Sequence, residues 1–397
     1  MIPELRAKYN NNFMEKKYRD FLKDLDSKHP GAIAFRVAET PVFIPKDFTG
    51  KMIDACESIV DTIVAPGFKE LTQRAIPKEE NVPGENGHTD FIVFDFGICE
   101  NEEGELEPQL VEMQGFASLF AFQTYYSEIV QNHFDIPLNF SNYLNGYDKA
   151  SYLKLLNEII AGKHDPENVI LLEIKPYEQK TKIDFYCTRD YLKIPIVCLT
   201  DLVREGRQLF YKKDGKKIRV KRIFNRIIFD ELFQVKATLG DVVDITQPLD
   251  VEWVPHPNWF YRISKFTLPL VRHPYVPKTF YLNEVTQIPK DLDNYVLKPL
   301  FSFAGQGVII DVTQKDIDKV TDHENWILQR KVKYADVIKT PNIPAKAEIR
   351  IFYFWEKDKE RPIAVHNLAR LSKGKMIGVR YNADKDWVGG SGAFFER

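Results

Sequence analysis

Apolar and polar positions alternate along this chain with two different periods, and the periods divide it into helices and strands. From Leu5 to about Lys28 the apolar residues Phe13, Tyr18, Phe21, Leu22 and Leu25 recur at helical spacing in a charged background. An amphipathic helix is expected there, stopped by His29-Pro30-Gly31. Ala32 to Phe43 reads as extended. Asp47 to about Leu71 is expected to be helical again, with Met52, Ile53, Ile59, Val60 and Ile63 as its buried stripe. A loop rich in Pro, Gly, Asn and Glu occupies 76–90. The apolar run Thr89–Ile98 is interrupted by Asp95, and Pro108–Phe116 returns as its hairpin partner across an acidic turn. Residues two apart in a strand share a face, so Glu112 and Gln114 point the same way and pairing can bring Asp95 alongside.

Residues 117–165 read as mainly helical. Val169–Ile174 and Ile194–Leu199 are short buried strands around a helix-like Thr181–Leu192, and a Lys-Lys-Asp-Gly-Lys-Lys turn joins two further strands. Strands alternating with helices predict a small α/β unit with a partly parallel sheet. The basic run Lys212–Arg226 reads first as a solvated face, although Arg222, Asn225 and Arg226 end a strand, where such sheets bind ligands. Past a turn-rich connector at 255–262, Tyr295–Asp311 reads as strand, turn, strand: an apolar run ending in Lys298, a tip containing Gly305 and Gly307, and a second apolar run. Ala347–Trp355 and Pro362–Leu371 are the next strands.

Composition narrows the class. The chain has 397 residues, 44% hydrophobic and 28% charged, which predicts two or three soluble domains. A net charge of −2 supplies no field to recruit nucleic acid or an anionic membrane. The four cysteines form no Cys-x-x-Cys pair, and no apolar run approaches the roughly 18 residues of a spanning helix. A cytoplasmic protein with reduced thiols is the expectation.

Two stretches carry candidate chemistry. Glycines at 305 and 307 let a backbone approach phosphate oxygens with free N–H groups, and Lys298 adds a point charge. A plain hairpin with a stray lysine is the alternative. Asp95, Glu112 and Gln114 offer two carboxylates and an amide oxygen, suited to Mg²⁺ bridging phosphates. A buried ion pair to Arg or Lys would equally explain carboxylates in an apolar hairpin.

The ordered set Ser264-Lys265, Val276-Pro277-Lys278-Thr279, Val296-Leu297-Lys298-Pro299 with Gly305-Gln306-Gly307, and Ile327-Leu328-Gln329 resembles the nucleotide-binding part of ATP-grasp enzymes. Glu348-Ile349-Arg350, Arg370, Arg380-Tyr381-Asn382 and Gly389-Gly390 resemble the part that follows, as in the peptide-forming carboxylate–amine ligases. In that family a helix, a strand with an acidic metal ligand and a strand bearing Glu-x-Asn come next. Here their counterparts stand at the front: Asp47–Leu71, the strand with Asp95, and Glu112-Met113-Gln114. The sequence thus resembles a circularly permuted ATP-grasp protein, of the broad arrangement found in eukaryotic glutathione synthetase and the glutathionylspermidine synthases. The likeness covers most of 89–115 and 260–397, and more loosely 168–230. Gln114 stands where Asn is usual, Glu348 where Asp is common, and Arg330 where an acidic residue is common.

The resemblance implies an α/β (α+β) ATP-grasp fold, circularly permuted, with a small α/β pre-ATP-grasp domain. Its expected units are 1–145 (helices plus the metal-ligand strands), 146–262 (substrate domain), 263–333 (nucleotide-binding subdomain) and 334–397. It implies ATP and Mg²⁺. Lys298, Ser302, Gly305, Gln306 and Gly307 would bind the phosphates, Gln329, Lys331 and Val332 the adenine edge, and Glu348 the ribose. Asp95, Glu112 and Gln114 would hold metal. Arg350, Arg370 and Arg380, with Asn382 as a neutral donor, would serve the migrating phosphoryl group and the tetrahedral intermediate, with Gly389–Gly392 as a backbone anion nest or a mobile cover. The implied activity is a carboxylate–amine (or thiol) ligase acting on a small molecule or peptide through an acyl phosphate. Alternatives are a phosphotransferase, with His366 near the site, or a non-catalytic nucleotide-binding module.

Overall fold

The computed structural model describes residues 2–301, 307–374, 377, 382 and 384–397, without the side chains of Asp230 and Lys236. In chain order, α1 (Pro3–Asn11) and α2 (Glu15–Ser27) precede β1 (Val42–Ile44), α3 (Lys46–Val64) and α4 (Phe68–Leu71). Next come β2 (Phe91–Glu100), β3 (Leu106–Gln114), α5 (Phe120–His133), β4 (Phe140–Ser141), α6 (Lys149–Ile160), β5 (Val169–Glu173), α7 (Lys182–Leu192) and β6 (Ile196–Cys198). The strands β7 (Val203–Glu205), β8 (Gln208–Lys213), β9 (Lys216–Val220) and β10 (Arg222–Asn225) lead to α8 (Phe229–Leu239), β11 (Glu252–Val254) and α9 (Asn258–Arg262). Then follow β12 (Thr279–Tyr281), β13 (Tyr295–Pro299), β14 (Ile309–Ile310), α10 (Gln314–Asp318) and β15 (Trp326–Arg330). Last are β16 (Lys346–Phe354), β17 (Ile363–Ser372), β18 (Gly389–Ser391) and β19 (Ala393–Glu396).

Several expected boundaries move. The single helix over Leu5–Lys28 is two, broken where three asparagines (Asn10, Asn11, Asn12) favour a turn over helix. The second expected helix ends at Val64, because Pro66 cannot continue it and Gly67 takes φ 88° before α4 begins. Of the extended stretch Ala32–Phe43 only its end becomes a strand. Residues 134–148 are not helical, and α8 occupies a segment with no expected element.

The central layer is a five-stranded sheet in the order β18-β17-β16-β2-β3, all antiparallel. Strand periodicity gives it two different faces. On one, Phe94, Phe96, Ile349 and Ile351 pack with Met52, Ile59, Val60 and Ile63 of α3 in one buried cluster. On the other, Phe352 and Phe354 meet the ring of Phe120 at the start of α5. Further along that second face the side chains turn polar: Asp95, Glu348 and Arg350. The β12-β15-β13-β14 sheet is antiparallel and has its own small core around Leu297 and Leu328. Among the described residues no helix is long and apolar enough to cross a membrane.

A parallel sheet, β11-β10-β5-β6, forms a third unit. Glu173 ends β5 inside it, and burial pushes its carboxyl up to about 8. The fold therefore keeps a proton that the unfolded chain releases near pH 4.3. Between those values the native state binds more protons, so stability falls as pH rises. Glu173→Gln should stabilise the protein over its parent by a margin that grows from pH 5 to pH 8, reaching on the order of 4–5 kcal/mol. Urea titrations at both pH values check this, and a constant margin would show an ionised Glu173.

Candidate functional site

The β13–β14 hairpin brings Lys298 over the polar face of the central sheet. Its ammonium donates to Gln329 Oε1 at 2.6 Å and to the Val111 carbonyl at 3.4 Å. Val111 is available because β3 slips at this point: Asp95 faces Glu112 while Phe96 faces Leu110, so Val111 is left over. Such a bulge leaves its extra residue out of the ladder. Gln329 is itself fixed through its Nε2, which donates to Thr279 Oγ1 at 3.1 Å. Burial pulls the Lys298 pKa down, partly offset by Glu112 and Glu348. A second lysine joins it. Lys265 opens a 3-10 turn capped by Ser264, and burial lowers it to about 8, with Glu112 raising it and Lys298 lowering it further. Two lysines thus converge on Glu112, whose carboxylate forms no salt bridge among the described residues.

The rest of the polar face is an ion-pair lattice. Arg350 lies directly opposite Asp95 and donates Nε to Oδ1 and Nη2 to Oδ2, each at 2.6 Å. Arg370 adds a third bond to Oδ2 at 2.8 Å and reaches Glu348 Oε2 at 2.9 Å. Burial pushes the Asp95 pKa up, but Arg350 and Arg370 together outweigh it and hold the carboxyl below its ordinary value. Burial likewise raises Glu348, against the pull of Arg370. Tyr334 donates its hydroxyl to Glu348. Its ring lies on Gly97, where a Cβ would come within 2.7 Å of the ring carbon, so only glycine fits beneath it.

The structure brings some of the expected residues together and holds others in different contacts. Lys298 is bonded to Gln329 and lies near enough to Glu112 and Glu348 to feel both charges, and Gln114 ends the same strand as Glu112. Asp95, expected to face a metal, has both oxygens taken by guanidinium groups, which also occupies Arg350. Arg370 keeps one buried nitrogen, Nε, without a hydrogen-bond partner among the described residues. Asn382 accepts from the Lys373 N–H at 2.9 Å and bonds Ser372, so it organises a turn. The Lys331 N–H is used by the Asn294 carbonyl at 2.8 Å, and its side chain by Asp311 and the Asp293 carbonyl. Val332 makes no backbone–backbone bond among the described residues and is half-buried. Gly307 has φ 72°. Ser302, Gly305, Gln306 and Arg380 lie outside the described residues.

Gly389–Gly392 forms no anion nest. Gly390 exchanges backbone bonds with Arg36 and Ala38, both at 2.8 Å, so its donor is consumed. A Cβ at Gly389 would sit 2.3 Å from the Arg36 carbonyl, which explains the glycine by close backbone approach. His366 is fully buried beside Tyr143 and Tyr152, and burial lowers it to about 3, so it faces no cleft. Arg222 donates to the carbonyls of Ile159 and Ile160 at the end of α6, and Arg226 to that of Ala117.

Over 96% of each chain the structure is similar to that of a glutathione synthetase-like effector from Globodera pallida in its apo form, with a TM-score of 0.59 and 12% sequence identity. The fold is glutathione synthetase-like. No protein-family model and no curated protein matches the sequence. Within this glutathione synthetase-like fold, Lys265 is read from the sequence only as part of the Ser264-Lys265 piece of the nucleotide-binding resemblance, without a role of its own, and Tyr334 is not singled out. Tyr334 carries no local signal, because its meaning depends on the distant Gly97.

Proposed function

We propose that the protein is an ATP-dependent ligase of ATP-grasp type, circularly permuted, that joins a carboxylate to an amine or thiol on a small molecule or peptide. The observation that supports the reading is the meeting of Lys298, on β13, and Lys265, heading a 3-10 turn, with Glu112 of β3, beside the Glu348–Arg370 ion pair. Two buried, underprotected ammonium groups favour a polyanion such as a triphosphate, which would restore their ordinary affinity for protons. Val332, free of backbone bonds beside the Gln329 strand, suits the adenine edge. Glu348, held by Tyr334 and Arg370, suits a ribose hydroxyl.

In the first step a substrate carboxylate oxygen attacks the γ-phosphorus, ADP leaves, and an acyl phosphate forms. In the second an amine or thiol attacks the acyl carbon and phosphate departs. Lys265 and Lys298 offset phosphate charge in both steps, and Arg370 Nε is placed to donate to a developing oxyanion. Asp95 orients Arg350 and Arg370. Among the described residues no group of three or more His, Cys, Asp or Glu could hold a metal. Glu112 and Gln114 nonetheless fit Mg²⁺ shared with phosphates, since that ion takes one or two carboxylates and keeps several waters. Asp95 does not fit while two guanidinium groups hold it. When bound, the ion would draw charge from the phosphate oxygens.

The burial of His366 disfavours a phosphohistidine transferase. ATP turnover against amino acids, short peptides and polyamines, with products weighed by mass spectrometry, tests the proposal. A new amide or thioester supports it. A stable phosphorylated product would make the protein a transferase, and thermal protection by ATP without turnover a binding module. Glu112→Ala should lower turnover roughly tenfold or more while leaving the melting temperature nearly unchanged.

A further inference from the structure

Elsewhere a cavity of about 550 Å³ opens between β6 and the β7–β8–β9 sheet, its lining including Pro195, Ile196, Asp201, Tyr211, Lys212 and Lys213. We infer that this groove takes an acidic peptide in extended form, added as a strand to the β6 edge with its carboxylates on Lys212 and Lys213. Three observations carry the inference, and none depends on the ligase reading.

The first is an open edge. β6 pairs only with β5, in parallel, with Ile196 opposite Leu171 and the Leu171 N–H bonded to the Pro195 carbonyl at 2.9 Å. In a parallel ladder of that register the groups facing β5 belong to Pro195 and Val197, so Ile196 turns its N–H and C=O outward, towards the groove. Protein edges are ordinarily guarded by charge, proline or a bulge on the edge strand itself. Pro195 stands at its start with its carbonyl turned to β5, but Ile196-Val197-Cys198 carries no charge, proline or bulge.

The second is charge. Between Val203 and Lys221 eight cations stand against two carboxylates, Glu205 and Asp214, in a chain whose net charge is −2. The strands set lysine against lysine: Lys212 opposite Lys217, and Lys213 opposite Lys216. Like charges directly opposite destabilise a sheet, and since successive residues face opposite sides, an anion beside either pair relieves that pair. Lys217 is paired with Glu205, and Lys213 lies 3.7 Å from Glu167, whereas Lys212 has no salt bridge among the described residues.

The third is a mixed floor. Val203 is exposed, and Tyr211 and Val197 line the groove with apolar surface. Alternate side chains of an added strand would meet that floor while the others reach the lysines, the usual division between backbone affinity and side-chain specificity in strand addition. A nucleic acid or a lipid surface would use the charge but has no use for an outward backbone edge.

The test uses the whole protein and a fluorescent peptide of alternating Glu and Val, roughly eight residues long. Fluorescence anisotropy at about 50 mM salt should show saturable binding that weakens at about 300 mM. Lys212→Glu with Lys213→Glu, both on the exposed surface, should raise Kd roughly tenfold or more. Ile196→Pro removes an outward N–H that β5 does not use, and proline is tolerated on such an edge, so this variant should fold and bind weakly. Bound peptide should slow amide exchange at Ile196 and Cys198. The inference is overturned if neither set of substitutions changes Kd, or if exchange at Ile196 and Cys198 is unaltered. It is equally overturned if oligothymidylate or phosphatidylserine vesicles bind through Lys212 and Lys213 while the peptide does not.

Discussion

Asp95→Ala should cost about 3–5 kcal/mol of stability, the loss typical of breaking a buried ion pair from one side. The carboxylate is 1% exposed and accepts three bonds from Arg350 and Arg370. Removing it strands two guanidinium groups on the central sheet. The same pair predicts acid sensitivity. Because the folded pKa of Asp95 lies below its unfolded value, its contribution is complete above about pH 4 and lost as pH falls through the folded value. The parent should therefore lose stability steeply below pH 4, and Asp95→Ala should lose less over the same interval. Urea midpoints from pH 7 down to pH 3 measure both effects. A variant as stable as its parent at pH 7 would mean that the arginines find other partners and that the lattice is incidental.

If the proposed nucleotide site is right, Lys298→Met should weaken ATP binding roughly a hundredfold or more, since it deletes a desolvated charge proposed to meet phosphate. Stability should change far less. The lysine is buried with a lowered pKa, so its charge opposes folding below that pKa, and the penalty fades only as pH rises towards the unfolded value. Methionine removes that cost and gives up the bonds to Gln329 and the Val111 carbonyl, terms of about 1 kcal/mol each. Calorimetric titration with ATP, beside a melting curve of the unliganded protein, separates the two quantities. Unchanged affinity in a folded variant would remove the nucleotide from this site.

The pattern of residues disclosed the strands more clearly than their neighbours. Alternation in Ala347–Trp355 and Pro362–Leu371 located β16 and β17 within a residue or so, and the shared face of Glu112 and Gln114 followed from the period of two. Their convergence with Lys298 was also readable, through motif order. What could not be read was cross-strand register between segments far apart in sequence. A buried ion pair was one of the two readings open for Asp95, but Arg350 stands 255 positions away, so nothing local named its partner. His366 failed for a related reason: its position in a strand was evident, whereas its cover by Tyr143 and Tyr152 came from elsewhere. Breaks such as Pro66-Gly67 were legible but were overridden by a continuous apolar stripe.

The β2–β3 hairpin has a consequence for how this protein is made. Phe91–Cys99 is buried throughout its length, yet the strand that covers one side of it, β16, is translated roughly 250 residues later. At about 5–20 residues per second the ribosome leaves that edge uncovered for roughly 12–50 seconds. During that interval a greasy, half-built sheet with a lone aspartate at its middle is offered to every other nascent chain nearby, and yield in a cell should depend on chaperones that reach it first.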